Sequence, residues 1–169
     1  VANFALENSF KNLEFLSCIP GSIGGAVSMN SGCYGHEISK LIISVEVLTL
    51  NGKLKNFKKN EIKFFYRGSD FGEPVIILNT KLKAVKGHKD EIQKIQSKFI
   101  DQKKKTQPSR IKTCGSTFKN PGGRKAWELI KESGCTNLSF GGAKLSDQHC
   151  NFFMNDGNAT AKDIEMLIE

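Results

Sequence analysis

The spacing of apolar positions changes along this chain, and each change predicts an element. From Ala2 to Leu16 apolar residues recur at helical spacing, which predicts an amphipathic helix. Leu41–Leu50 (LIISVEVLTL) is a β-branched apolar run, the pattern of a buried strand. Asn51-Gly52 follows as a hairpin signal, so 53–58 is predicted as the return strand. Val75–Val85 starts apolar and then alternates Leu78, Thr80, Leu82 and Ala84 with polar residues, predicting another strand. From Lys89 to Lys105 the helical period returns, with Ile92, Ile95, Phe99 and Ile100 on one face and lysines on the other. Gln107-Pro108-Ser109 ends that helix, because the residue before a proline avoids the helical region. Ala126–Ser133 predicts a short helix closed by Gly134, and Thr160-x-x-Asp163 opens a last one as a capping box, with Ile164, Leu167 and Ile168 on one face. Strands and helices mixed in this order predict an α+β chain in two parts.

Composition narrows the class. In 169 residues, 38% hydrophobic content and 12 phenylalanines need a core, which excludes a disordered chain. No apolar run approaches the roughly 18 residues that span a bilayer, so no membrane span is expected. The five cysteines form neither a CxxC nor a His/Cys cluster, so no metal site is expected. Their odd, scattered placement suits reduced thiols of a cytoplasmic protein. The net charge of +8 is concentrated: residues 81–125 hold 14 Lys and Arg against three acids, and the rest holds 11 against 14. Such a run is a solvated helix face, or a surface for a polyanion or a phosphorylated small molecule. A nucleic-acid module would need aromatics among the lysines, and only Phe99 lies near Lys103-Lys104-Lys105, so nucleic acid is not expected as a partner. The chain has no initiator Met and no signal-peptide pattern; it opens on a helical pattern without a lead-in and stops inside another without a cap. That predicts a piece of a longer protein.

Four segments could carry chemistry. Ile19-Pro20-Gly21-Ser22-Ile23-Gly24-Gly25-Ala26, with Gly32 and Gly35 beyond, offers backbone to close approach by a ligand. Its GxxGG spacing is neither a dinucleotide fingerprint nor a P-loop, and a glycine-rich turn is the alternative. Phe64-Phe65-Tyr66-Arg67-Gly68-Ser69 sets an always-charged, bidentate cation among aromatics; a stacked surface arginine is the alternative. Cys114-Gly115-Ser116-Thr117-Phe118-Lys119-Asn120-Pro121 has no nearby histidine and no GxSxG. That weighs against a hydrolase triad and leaves a proton-passing hydroxyl, with Lys119 and Asn120 holding an anion, or a plain turn. The last segment runs from Phe140-Gly-Gly-Ala-Lys144 to His149-Cys-Asn-Phe-Phe-Met-Asn155, where His149 reads as a hydrogen-bonded structural residue.

Taken in order, IPGSIGGAVSMNSGCYG (19–35), YRGS (66–69), CGSTFKNP (114–121), GGAKLSDQHCNFFMN (141–155) and NATAKDI (158–164) resemble the UDP-N-acetylenolpyruvoylglucosamine reductases (MurB) of bacterial cell-wall synthesis. The resemblance runs nearly end to end. It implies part of an FAD-binding domain of the vanillyl-alcohol-oxidase type over 1–86, a helical connector over 87–104, and a smaller α+β substrate-binding domain over 105–169. It implies FAD, with NADPH as hydride donor and a UDP-sugar substrate, in a monomeric, cytoplasmic enzyme. Hydride passes from the flavin N5 to C3 of the enolpyruvyl group, and a serine protonates C2. Carried over by motif, Arg67 stabilises the enolate and Ser116 is the proton donor. Ile19, Pro20, Gly21, Ser22, Gly24, Gly25 and Ala26 hold FAD, and Lys119 and Asn120 lie near the substrate, with Arg110 or Arg124 as further phosphate partners. The family's GGGSN-like pyrophosphate loop is absent from this sequence, and its catalytic glutamate falls beyond residue 169; Glu169 is not its counterpart. The piece alone is therefore expected to be inactive. Another flavoprotein oxidase of the superfamily is the alternative, less favoured because an oxidase needs no proton donor to carbon.

Overall fold

A computed structural model describes residues 1–108 and 111–169. Its helices are α1 (Ala2–Glu7), α2 (Ile23–Ser28), α3 (Lys89–Thr106), α4 (Ala126–Glu132) and α5 (Ala161–Ile168). Its strands are β1 (Phe10–Lys11), β2 (Gly32–Cys33), β3 (His36–Glu37), β4 (Ile42–Thr49), β5 (Leu54–Lys58), β6 (Lys63–Phe65), β7 (Gly68–Asp70), β8 (Val75–Leu82), β9 (Val85–Lys86), β10 (Ser139–Phe140), β11 (Ala143–Leu145) and β12 (Phe153–Asn155). The chain divides into two units, Val1–Asp101 and Gln102–Glu169, with the division inside α3. Among the described residues, no helix is long and apolar enough to cross a membrane.

The first unit is built on the antiparallel sheet β5-β4-β8. Val45 and Val47 of β4 are fully buried in a cluster with Phe15, Val27 and Ile38, and Glu46 between them is only half-buried. The run expected to be buried throughout thus has an open side, and Ile43 is half exposed, because register shifts between Ile42 and Ser44 and between Glu46 and Val47 re-aim the strand. At the hairpin Gly52 alone takes a positive φ, 76°, and Thr49 Oγ1 accepts the Lys53 N–H at 3.1 Å.

Helix α1 stops well short of the pattern that predicts it, correcting the expected helix over 2–16. Asn8 donates its carboxamide to the Phe4 carbonyl at 2.9 Å, and Ser9 and Asn12 take φ values of 55° and 74°. Short polar side chains offer the backbone local bonds that compete with a helical ladder. Phe10 and Lys11 then pair with Lys86 and Val85.

The residues of α3 in this unit are packed: Ile92 and Gln96 are buried, and Phe99 stacks on Tyr34 with ring centroids 5.1 Å apart. Lys89, Lys94 and Lys98 are exposed, the solvated face that the charge run predicts.

The second unit packs α4 and α5 with the antiparallel sheet β10-β11-β12 around Ala143, Leu145, Cys150, Phe153 and Leu167. Gly134 takes φ 74° just after α4, the left-handed exit that glycine favours. The capping box on α5 is present: Thr160 Oγ1 accepts the Asp163 N–H at 3.2 Å, and Asp163 Oδ2 accepts the Thr160 N–H at 2.8 Å. The Thr160 N–H, and after it the Thr160 hydroxyl, hydrogen-bond to the Asp163 carboxylate and hold it below its ordinary range. A depressed carboxylate contributes stability at neutral pH that is lost as pH falls through its folded value. Thr160→Ala is expected to cost about 0.5–2 kcal/mol, the usual worth of an N-cap. An unchanged denaturation midpoint would show that the cap contributes nothing.

Candidate active site

The glycine-rich segment leads into the N-terminus of α2. Ser22 is the N-cap and accepts the Gly25 N–H at 3.1 Å. Gly21 sits at φ 124°, a conformation that favours glycine, with nothing within 4 Å of where a Cβ would be. Beside it is a cleft of about 350 Å³, walled by the apolar Leu16, Ile19, Pro20, Ile23, Ala26 and Met29 and by Gly21, Ser22 and Gly25. Of the residues expected to hold a cofactor, Ile19, Pro20, Gly21, Ser22, Gly25 and Ala26 line this cleft. Gly24 turns to β8 instead, where a Cβ would meet Ile77 at 3.7 Å. An open backbone beside an apolar wall suits a flat, largely apolar group with a polar edge, which is the chemistry of a flavin ring. Cys33 is half-buried, with its thiol on the Phe15 carbonyl at 3.4 Å.

Arg67 belongs to the same unit, whose helix α2 packs against β7 and β8. Phe65 pairs with Gly68, so Tyr66 and Arg67 form a two-residue loop between β6 and β7. Arg67 takes φ 56° there. For a residue with a side chain that conformation costs roughly 1–2 kcal/mol, and glycine or asparagine would fill it more easily. Gly68 leaves room for the half-exposed Phe65 ring, which would have to move if a Cβ stood there. The guanidinium lies 4.9 Å from the Tyr66 ring centroid and is half-buried. A cation kept in a strained turn points to function, because strain of this kind persists where the surroundings impose it.

Ser116 belongs to the second unit and is exposed. Gly115 before it has φ 91°, and Ser116 bridges to Phe152. The loop is fastened by Asn151, which sequence reasoning passed over. Its buried carboxamide accepts the Phe118 N–H at 2.9 Å and donates to the Phe118 carbonyl at 2.9 Å, while its carbonyl accepts the Thr117 N–H at 2.8 Å. The available signal was an amide inside the apolar run Cys150–Met154, where a buried polar group needs partners.

Lys119 is exposed. Asn120 uses its Oδ1 on the Ala126 N–H at 3.0 Å, tying the loop to the start of α4. Arg124 is paired with Glu132, whose hydrogen bond raises its pKa. Arg110 lies outside the described residues. Among the described residues no group of His, Cys, Asp and Glu is placed to hold a metal.

His149 departs from the expected hydrogen-bonded role. Its Nδ1 is buried without a partner beyond its own residue, and the ring packs edge-on against Phe152 at 4.8 Å. Burial lowers its pKa from the ordinary 6.5. The unfolded chain therefore takes up the proton first as pH falls through about 6.5, and stability falls with it. Denaturation midpoints at neutral and mildly acid pH are expected to diverge less in His149→Gln than in the wild type; equal divergence would contradict this.

Comparison with known proteins gives the class first. Residues 1–58 match the family "FAD binding domain", and residues 107–169 match "UDP-N-acetylenolpyruvoylglucosamine reductase, C-terminal domain". The chain is thus α+β, an FAD-binding-domain segment followed by a reductase C-terminal domain. It is 41% identical to the UDP-N-acetylenolpyruvoylglucosamine reductase of Pelagibacter ubique, over 100% of this chain and 57% of that protein. It is 44% identical to the reductase of Rickettsia prowazekii, over 99% and 57%. The crystal structure of the reductase from Thermus caldophilus superposes with a TM-score of 0.90 at 36% identity, covering 99% of this chain and 62% of that one. The chain belongs to the UDP-N-acetylenolpyruvoylglucosamine reductase family, and it spans 57% of the length of these curated relatives.

Proposed function

We propose that the protein acts in the NADPH-dependent reduction of UDP-N-acetylglucosamine enolpyruvate to UDP-N-acetylmuramate, a monomeric cytoplasmic step in making peptidoglycan precursor. The observation that carries the reading is Arg67 held at φ 56° in the unit that bears the glycine-lined cleft. Ile19, Pro20, Gly21, Ser22, Gly25 and Ala26 would hold FAD, with Gly24 seating α2 on β8. FAD held there would supply hydride chemistry, carrying the two electrons of NADPH to C3 of the enolpyruvyl group. The electron pair of the C2–C3 double bond then moves onto C2 and the carboxylate. Arg67, bidentate toward a carboxylate, stabilises that charge as it develops. Ser116, exposed on a loop fastened by Asn151, delivers a proton to C2. Lys119 and the amide hydrogens of Asn120 steady the anionic substrate. The domain limits that the reading implies are an FAD-binding part over 1–86 and a substrate part over 105–169, joined through 87–104.

The test is anaerobic. NADPH is expected to bleach the full-length holoprotein, and the enolpyruvyl UDP-sugar to restore its yellow colour. Colour that returns only on admitting oxygen would overturn the reading in favour of an oxidase.

A further inference from the structure

We propose that Asn30 and Ser69 are positioning residues that hold the Arg67 turn to the end of the glycine-rich helix, an inference that rests on the proposed function for its catalytic meaning. Asn30 is 2% exposed and takes φ 40°. Its Nδ2 donates to the Phe65 carbonyl at 3.1 Å and to Glu37 Oε2 at 3.2 Å, and its Oδ1 accepts the Ser39 N–H at 3.3 Å. Phe65 is the residue that enters the Tyr66-Arg67 loop. On the far side Ser69 donates its hydroxyl to the Ser28 carbonyl at 3.0 Å. Both flanks of the strained turn are thus tied to residues 28–30, the last residue of α2 and the two that follow it, while the start of α2 lines the cleft. The direction of the guanidinium and the position of the cleft are thereby fixed by one short piece of chain.

The residue type at 30 follows from this. Asparagine tolerates a left-handed backbone and also brings two donors and an acceptor. Aspartate keeps the shape and the acceptor but has no donor, and it would set a second carboxylate against Glu37 and the Phe65 carbonyl. Glycine keeps only the backbone freedom.

The test uses Asn30→Asp, Asn30→Gly and Ser69→Ala in the full-length FAD-loaded protein, with two readouts. Trypsin cuts after arginine, so cleavage at Arg67 relative to other sites reports directly on the turn. It is expected to accelerate by about tenfold in each variant, as local opening becomes easier. In the half-reactions, bleaching by NADPH should match the wild type, and recolouring by the enolpyruvyl substrate should slow by about 10²-fold in the Asn30 variants, the cost of a misplaced reacting group. Ser69→Ala should slow it less. Asn30→Gly equal to the wild type in both readouts would overturn the clamp and leave only a backbone role. Should the Asn30 variants not fold, half-exposed Ser69 decides: wild-type cleavage and recolouring in Ser69→Ala would overturn the proposal. A wild type that does not turn over would remove the proposed function, while the trypsin contrast would still judge the clamp.

Discussion

Replacing Arg67 by lysine is expected to slow reduction of the enolpyruvyl substrate by a factor of about 10²–10³, the usual cost of removing one preorganised donor from a developing negative charge. Lysine keeps the charge but not the planar fork that meets both carboxylate oxygens, and its flexible stem is not fixed by the turn. A companion variant separates catalysis from folding. Arg67 stands at φ 56°, which asparagine adopts with less strain, so Arg67→Asn should raise stability by up to about 1 kcal/mol while activity collapses. Denaturation midpoints and single-turnover rates measured on both variants check this. Near-normal turnover in Arg67→Lys, or a destabilised Arg67→Asn, would mean that the turn conformation serves the fold and not the chemistry.

The second large effect is at Ser116. Ser116→Ala should leave bleaching by NADPH unchanged and slow the return of colour with the enolpyruvyl substrate by about 10²–10⁴-fold, the range for a positioned proton donor. Ser116 is exposed, so its loss should change stability by no more than about 0.5 kcal/mol. Serine is a weak acid, but protonation of a carbanionic carbon asks chiefly for a proton held in the right place with water excluded. Loss of both half-reactions would make Ser116 a structural residue.

The sequence was most legible where local chemistry acts alone. The lysine-faced helix after Lys89, the glycine after α4 and the Thr160 capping box stand in the structure, because each is decided within a few residues, whereas the strand expected over 75–85 ends at Leu82 and leaves Leu78 and Ala84 exposed. It was least legible where distant chain decides. Helix α1 ends where it does partly because Phe10 and Lys11 find partners at 85–86. The open side of β4 depends on two register shifts against β8, which no periodicity reveals.

At the site the same line divides the residues. The glycine segment, Arg67 and Ser116 stand out by composition and by resemblance. The buried amides that hold their loops, Asn30 and Asn151, do not, because their value lies in bonds to Phe65, 35 residues away, and to Phe118, 33 residues away. His149 was misjudged for the same reason: its environment is the Phe152 ring rather than a polar partner, and spacing alone does not show that.

The most direct test of the account follows product and cofactor together. The full-length FAD-loaded protein, given NADPH and UDP-N-acetylglucosamine enolpyruvate, should form UDP-N-acetylmuramate in step with NADPH consumed, one for one. NADPH consumption without that product, or no consumption at all, would contradict it.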